Sequence, residues 1–360
     1  MNRRVLIMAG GTGGHVFPAL AVADELQAQH CDVFWMGTEN GIEAKLVPDA
    51  GYPLTFIHVK GLRGNGVIGW LLAPFKVLKA VYEAIKAIKK IKPDVVLGMG
   101  GFASGPGGLA AWLLKIPVVI HEQNAIPGMT NRLLSNIATR VLEGFRQSYD
   151  TSRGAVWVGN PVRASIENID SPDSRFANRT GPIRLLVLGG SLGAKALNKM
   201  VPQAMALNEE ANLFEIKHQS GERHLNDCQQ NYQATTIKAE ITAFIDDMTS
   251  AYAWADLVIC RAGALTVAEL AASGVGALLI PYPYAVDDHQ THNALALVNS
   301  GAAMLIHENT LTAELLQKQL SIFVSNREKL LEMANAARSQ AKLGTAKVVA
   351  DICLKEVAHA

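Results

Sequence analysis

The chain has 360 residues, 49% hydrophobic and 18% charged, with 33 Lys+Arg against 32 Asp+Glu and a net charge of +1. That length is about twice the commonest domain size, so two packed domains are expected, and the apolar content excludes a disordered or disulfide-stapled chain. The near-neutral balance gives no overall basic field, so nucleic acid is not an expected partner.

From the N-terminus, Arg3 and Arg4 precede a short apolar run, Val5–Ala9, too brief for a signal peptide, that reads as a first β-strand. The loop Gly10-Gly11-Thr12-Gly13-Gly14-His15 follows, then an amphipathic helix over Pro18–Gln29. Glycines between a strand and a helix allow close backbone approach, and the helix start offers unpaired N–H groups to a phosphate. A tight turn with no ligand would have the same spacing. The dinucleotide fingerprint is not met: Val16 stands at the third glycine position, and the strand Asp32–Met36 ends without a well-placed acid for a ribose. Val67–Phe75 is a nearly unbroken apolar stretch, with Arg63 before it and Lys76, Lys79, Lys86, Lys89, Lys90 and Lys92 after it. It reads either as a buried helix or as a patch that enters a bilayer while its lysines meet anionic headgroups.

Strands are expected at Asp94–Gly98 and Pro117–His121. The glycine-rich Gly98–Gly108 weakens helix start-up, so a ligand or a neighbouring strand must approach that backbone closely. His121-Glu122-Gln123-Asn124 lies at a strand end, a favoured place for polar chemistry, although turn and capping bonds explain each residue singly. Ala155–Gly159 closes this set, and the polar Asn168–Pro182 reads as a linker.

The plan then restarts with a strand at Ile183–Leu188, the loop Gly189-Gly190-Ser191-Leu192-Gly193 and a helix over Ala194–Met205. This is not a P-loop, because Lys195 follows Ala194 and Ala196 replaces the magnesium-binding Ser or Thr; Ser191 is a phosphate donor or a plain turn serine. Further strands are expected at Phe214–His218, Ile237–Ala239, Leu257–Cys260 and Ala277–Pro281. Thr266 and Glu269 have the spacing of a capping box, while a carboxylate at Glu269 could equally take both hydroxyls of a ribose. Asp287-Asp288-His289-Gln290 is one acid pair on a polar loop, and with no DxD triplet no metal is expected. Cys31, Cys228, Cys260 and Cys353 form no CxxC pair and fit buried thiols in a reducing compartment. The tail from Asn326 is helical in composition.

Alternation of short apolar runs with helical segments predicts an α/β chain of two Rossmann-like, doubly wound parallel-sheet domains. The boundaries expected are 1–162 and 163–340, with a tail helix at about 341–360 returning to the first domain and the glycine loops facing one crevice. No run of about 18 apolar residues predicts a transmembrane helix, so the cytoplasm is the default location.

The ordered motifs are GGTGGHVFPALAVA from Gly10, GMGGFASGPGGLAA from Gly98, HEQNAIPGMTNRLLS from His121 and GNPVR from Gly159. GGSLGAKALN from Gly189, HQSG from His218, FIDDM from Phe244, RAGALTVAEL from Arg261 and DDHQTHNA from Asp287 follow in the second half. Over essentially its whole length the chain resembles the MurG family of bacterial peptidoglycan N-acetylglucosaminyltransferases. The resemblance implies a GT-B glycosyltransferase that moves N-acetylglucosamine, with inversion, from UDP-GlcNAc to the C4 hydroxyl of the muramyl sugar in lipid I, an undecaprenyl-linked acceptor, to yield lipid II. It implies no cofactor, an N-terminal acceptor domain, a C-terminal donor domain and a peripheral place on the cytoplasmic face of the bacterial inner membrane, against anionic lipids.

Carried over by motif, the donor site comprises Thr12, Gly13, Gly14, Asn124, Arg163, Ser191, Ile245, Ala264, Leu265, Thr266, Val267, Ala268, Glu269 and Gln290. Glu269 would hold the ribose, Ile245 would meet the uracil and Gln290 would bind the GlcNAc. The catalytic candidates are His15, with Glu122 and His121 behind it; His15 would otherwise hydrogen-bond a phosphate. Two departures stand out: Phe102 where many relatives carry tyrosine, and Lys195 where arginine is common, which keeps the charge but loses bidentate geometry. The competing readings are a UDP-sugar epimerase or another lipid glycosyltransferase on the same fold, and a nucleotide-sugar sensor that turns nothing over.

Overall fold

Apolar runs such as Val5–Met8, Val95–Leu97 and Leu185–Val187 are wholly buried, as strands of parallel sheets covered by helices on both faces must be. The structure, a computed structural model, describes residues 2–59, 66–190, 193–207, 213–235 and 237–358, without the side chains of 66–73 and 358. Two units emerge: Met1–Arg163 with Gly344–Ala360, and Ala164–Leu343.

In unit 1 the strands are β1 (Arg4–Met8), β2 (Asp32–Gly37), β3 (Leu54–Phe56), β4 (Val95–Gly98), β5 (Val118–Glu122), β6 (Arg140–Glu143) and β7 (Val156–Trp157). They form one parallel sheet in the order β3-β2-β1-β4-β5-β6-β7. The helices between them are α1 (Gly13–Ala28), α2 (Glu43–Asp49), α3 (Gly66–Ile91), α4 (Ser104–Leu113) and α5 (Met129–Leu134). Alternation along β1 sends Val5 and Ile7 into a core shared with α1, and Leu6 and Met8 into a core shared with α3 and α4.

Unit 2 opens with α6 (Ala164–Glu167) and α7 (Pro172–Phe176), then alternates β8 (Ile183–Leu188), α8 (Lys195–Ala206), β9 (Phe214–Gln219), α9 (Leu225–Gln233), β10 (Ala239–Thr242) and α10 (Met248–Trp254). It continues through β11 (Leu257–Cys260), α11 (Ala264–Ser273), β12 (Gly276–Leu279), α12 (His289–Val298), β13 (Ala303–Leu305), α13 (Ala313–Ser325) and α14 (Glu328–Ser339). Its sheet order is β10-β9-β8-β11-β12-β13, so the first six strands of each unit follow the same plan. The Rossmann-like, doubly wound α/β reading therefore holds for each half.

Several expectations need correction. Helix α1 begins at Gly13, five residues before Pro18, and Pro18 sits inside it, where it forfeits one backbone bond. The segment read as a linker belongs to unit 2. Arg179 pairs with the buried Asp256 and donates to the Trp254 carbonyl at 2.6 Å, and Arg175 donates to the Ser273 carbonyl at 2.8 Å. Polarity mimicked a linker because these guanidinium groups answer buried carbonyls. Strand β10 is displaced from Ile237–Ala239 to Ala239–Thr242, where it pairs with Ile216–Gln219 at a sheet edge and tolerates Glu240 and Thr242.

The last helix, α15 (Thr345–Ala358), packs against α1. Ala346, Val349, Ala350, Cys353 and Leu354 join the β1 core, Glu356 takes Arg140 Nε at 2.7 Å, and Thr345 Oγ1 donates to the Val158 carbonyl at 3.0 Å. All four cysteines are free and buried, and burial pushes the thiols of Cys228, Cys260 and Cys353 up to about 12. Because Val349 is fully buried, Val349→Ala should lower stability by about 2 kcal/mol, measured by urea unfolding. An unchanged midpoint would mean that α15 is not part of the cooperative core.

Candidate active site

In each unit the strand order reverses beside the first strand, between β1 and β4 and between β8 and β11. Open α/β sheets bind ligands outside the carboxyl ends of the strands at such a point. In unit 1 the loop after β1 meets the loop after β4. Gly101, at φ +85°, lies so close to the Gly10 carbonyl that a side chain has no room. Ser104 Oγ ties the two strand ends together, 2.8 Å from the carbonyls of both Met8 and Gly100.

Behind the first loop lies a fully buried carboxylate, Glu43. It accepts from Gly11 N at 2.8 Å, Thr38 N at 2.9 Å and Thr38 Oγ1 at 2.7 Å, and Gly10 and Gly41 crowd against it. A buried carboxyl group is tolerable only when hydrogen-bonded in this way. Thr12 caps α1 through its carbonyl, which accepts from His15 N and Val16 N, while its side chain makes no capping hydrogen bond. The amides of Gly13 and Gly14 thus open the helix, with the positive end of its dipole.

The end of β5 supplies a polar ladder. His121 Nε2 lies 2.8 Å from the Gly159 carbonyl, His121 Nδ1 lies 3.2 Å from Gln123 Nε2, and Gln123 Oε1 lies 3.0 Å from His15 Nδ1. His121 is fully buried, and burial pulls its pKa down to about 4 despite the neighbouring Glu122. Glu122 is buried too. Its oxygens accept from Asn124 N (2.9 Å), Asn124 Nδ2 (3.1 Å), Gly128 N (3.1 Å) and Asn131 Nδ2 (2.9 Å), so it organises the loop from Asn124 to Asn131. Of the three catalytic candidates, His15 alone is partly exposed. Arg163 sits with its guanidinium 5.6 Å from the Phe17 ring, on α1 just beyond His15.

In unit 2, α11 opens at Ala264 with Gly263 as its N-cap and no side-chain cap. Thr266 is therefore the third helical residue and Glu269 the sixth, and the capping-box reading fails. Glu269, only 6% exposed, instead accepts from the buried Tyr252 hydroxyl at 3.1 Å. Ala264 and Val267 turn inward, while Leu265, Thr266 and Ala268 are half-exposed. The β11–α11 loop is braced by Asn293, which donates to the Ala262 carbonyl at 3.2 Å, and by Arg261, which pairs with Glu308. Ile245 N donates to Gln219 Oε1 at 3.3 Å. Gln290 Oε1 accepts from Tyr282 N at 2.9 Å, just past Asp287 and Asp288, both in the left-handed region. Such backbone strain collects at functional turns. Ser191 lies outside the described residues; beyond its loop, Lys195 lines a cavity of about 230 Å³ with Asn198, Lys199, His224 and Asp227. Among the described residues, no three of His, Cys, Asp and Glu converge as a metal-binding set.

Sequence reasoning missed Glu43 and Asn198, and it named Gln123 at the strand end without its partner His15. Asn198 donates to the Ser220 carbonyl at 3.0 Å and takes His218 Nε2 at 3.0 Å, and His218 Nδ1 accepts from Tyr232 Oη at 3.0 Å. Burial alone depresses His218 to about 3. The unfolded histidine takes a proton near 6.5 while the folded one refuses it until far lower pH, so stability is complete above about pH 6.5 and is lost as pH falls. His218 should contribute about 2 kcal/mol of the loss between pH 7 and pH 5. Urea unfolding of wild type and His218→Gln at both pH values checks this: the variant's pH dependence should be shallower by that amount, and equal slopes would contradict it.

Residues 5–143 match the glycosyltransferase family 28 N-terminal domain and residues 184–349 its C-terminal domain. The chain is 53% identical, over 99% of both chains, to the UDP-N-acetylglucosamine–N-acetylmuramyl-(pentapeptide) pyrophosphoryl-undecaprenol N-acetylglucosamine transferase of Nitrosococcus oceani. The Aeromonas hydrophila protein of the same name is 51% identical over 98% of this chain and 97% of its own. The crystal structure of Acinetobacter baumannii MurG superposes with a TM-score of 0.84 at 44% identity, covering 98% of this chain and 99% of that one. With two glycine-loop Rossmann-like units of the GT-B kind and full-length identity at this level, the chain belongs to the MurG family of glycosyltransferases.

Proposed function

We propose that this chain transfers N-acetylglucosamine from UDP-GlcNAc to the C4 hydroxyl of the N-acetylmuramyl sugar in undecaprenyl-pyrophosphoryl-MurNAc-pentapeptide, lipid I, forming lipid II. Family membership carries the reaction, and the half-exposed His15 at the strand-order reversal of unit 1 carries the chemistry. The reaction is one in-line displacement with inversion. The acceptor oxygen bonds to the anomeric carbon as its proton passes to His15, and the bond to the diphosphate breaks with its electron pair leaving on UDP. His121 and Glu122, buried and fully engaged, support this residue rather than take the proton themselves.

Unit 2 is assigned the donor. Glu269, oriented by Tyr252, receives the ribose hydroxyls, Ile245 meets the uracil and Gln290 the GlcNAc. The uncapped start of α11 over Ala264, Leu265 and Thr266 stabilises the departing diphosphate electrostatically, with Ser191 as a further donor. In unit 1 the further substrate-binding residues are Thr12, Gly13, Gly14, Asn124 and Arg163. Such preorganised dipoles act without a metal ion. Phe102 is exposed and carries no hydroxyl, so this reading asks no phenol of that position.

Unit 1 is assigned the lipid-linked acceptor and the surface of the cytoplasmic membrane. On α3, Phe75, Leu78 and Tyr82 are 71%, 66% and 65% exposed, and their spacing puts them on one helical face. Lys76, Lys79, Lys86 and Lys89 are exposed around them. Large apolar side chains left in water beside lysines fit an interfacial helix on anionic lipid. No helix among the described residues is long and apolar enough to cross a membrane. Trp70, expected in this patch, belongs to α3, but its side chain is outside the described set, as is Arg63.

Glu269→Ala should weaken UDP-GlcNAc binding about 10- to 100-fold, read by calorimetry; unchanged affinity would remove the ribose role. His15→Ala should lower kcat by about 100-fold or more with donor affinity kept, and a normal turnover number would reject it as the base. The double change Phe75→Glu with Leu78→Glu should abolish sedimentation with anionic vesicles while thermal unfolding is unchanged. Undiminished vesicle binding would place the membrane contact elsewhere.

A further inference from the structure

We propose that Gln123 is a positioning residue that fixes His15 as the tautomer protonated on Nδ1 and bare on Nε2. The proposal rests on the reading of His15 as the base. The hydrogen bonds impose this state one after another, starting from a group with no choice. The Gly159 carbonyl only accepts, so His121 Nε2, 2.8 Å away, carries a hydrogen. His121 has no exposure, and burial keeps it neutral, so its Nδ1 is bare and must accept.

A glutamine side chain has two ends of similar shape, and its partners decide which way it faces. One end of Gln123 meets two acceptors, His121 Nδ1 at 3.2 Å and the His121 carbonyl at 3.4 Å, so that end is the NH2. The other end is then the carbonyl oxygen, 3.0 Å from His15 Nδ1, which must donate to it. A neutral His15 is left with its lone pair on Nε2, and among the described residues that atom takes no hydrogen bond. The tautomer of a histidine is set by the bond its other nitrogen makes, and here an amide sets it without adding charge.

The surroundings hold this arrangement. Asn160 Nδ2 donates to the main-chain carbonyl of Gln123 at 3.0 Å, and Asn131 Nδ2 donates to the main-chain carbonyl of His121 at 3.2 Å. Gly100 makes room for the imidazole: a Cβ there would lie 2.7 Å from His15 Nδ1 and 2.8 Å from Cε1. A carboxylate at position 123 would not serve, because it would set an acceptor against the bare Nδ1 of His121. Once His15 has taken the acceptor's proton on Nε2, the Nδ1–H bond to Gln123 remains and steadies the imidazolium.

The test is nitrogen NMR of the full chain labelled with 15N-histidine, with the His15 signals assigned by their loss in His15→Gln. Wild type should show His15 hydrogen-bearing at Nδ1 and bare at Nε2. Gln123→Met should give mixed tautomers and lower kcat by about 10- to 100-fold, with KM for UDP-GlcNAc held within about twofold. A wild-type His15 protonated on Nε2 would overturn the proposal, and that measurement stands even if the variant fails to fold. A Gln123→Met protein with wild-type tautomer and kcat would overturn it as well. Normal turnover in His15→Ala together with the expected tautomer would instead reject the base reading and leave the tautomer assignment in place.

Discussion

A parallel sheet buried on both faces has nowhere along its strands for polar chemistry, and only the loops at its carboxyl ends escape that limit. In this chain those loops do not stand by themselves; buried, hydrogen-bonded polar side chains hold them. Glu43 grips the turn after β1, Glu122 grips the loop after β5, and Asn198 with His218 braces the end of β9. Each sits in low dielectric, where a missing partner costs more than a bond gains. The groups proposed to react are therefore presented by a hydrogen-bonded frame, and His15 is the clearest instance because its own partner is in turn fixed by a buried neighbour.

The two units share one strand plan, and the proposed reading gives them different chemical ends. In unit 1 the reversal of strand order gathers a histidine and glycine amides, which suits proton transfer and close approach of a sugar. At the same place in unit 2 lies an uncapped helix start followed by a carboxylate on the sixth helical residue, which suits a diphosphate joined to a ribose. Glu269 shows how local rules yield to placement. Its spacing from Thr266 matches a cap, yet the helix begins two residues before Thr266 and gives the carboxylate to Tyr252 instead.

Most of the architecture was legible because its signal is periodic. Buried strands such as Ile183–Leu188 and Leu257–Cys260 stand out from sequence as continuous apolar runs between turn residues, and they occur where expected. The strands that escaped notice are β3 and β13, each three residues long, and β6, whose ends are Arg140 and Glu143. Short, edge or charge-bearing strands lack the pattern that marks the others. At the site the glycine loops were visible, since only close packing or a ligand calls for so many glycines. What stood behind them was not: Glu43, and the pairing of Gln123 with His15, depend on contacts 32 and 108 residues away in sequence, which no local spacing encodes.

The central claim is a direct transfer to a lipid-linked muramyl acceptor, with the diphosphate stabilised by helix amides and hydroxyls. Radiolabelled UDP-GlcNAc incubated with a lipid I analogue bearing a shortened prenyl chain, with and without EDTA, tests it most directly. The account predicts labelled disaccharide in both reactions and none when the acceptor is omitted. Product that vanishes with EDTA would contradict stabilisation by protein dipoles alone, and no product in either reaction, with donor binding intact, would contradict the transfer itself.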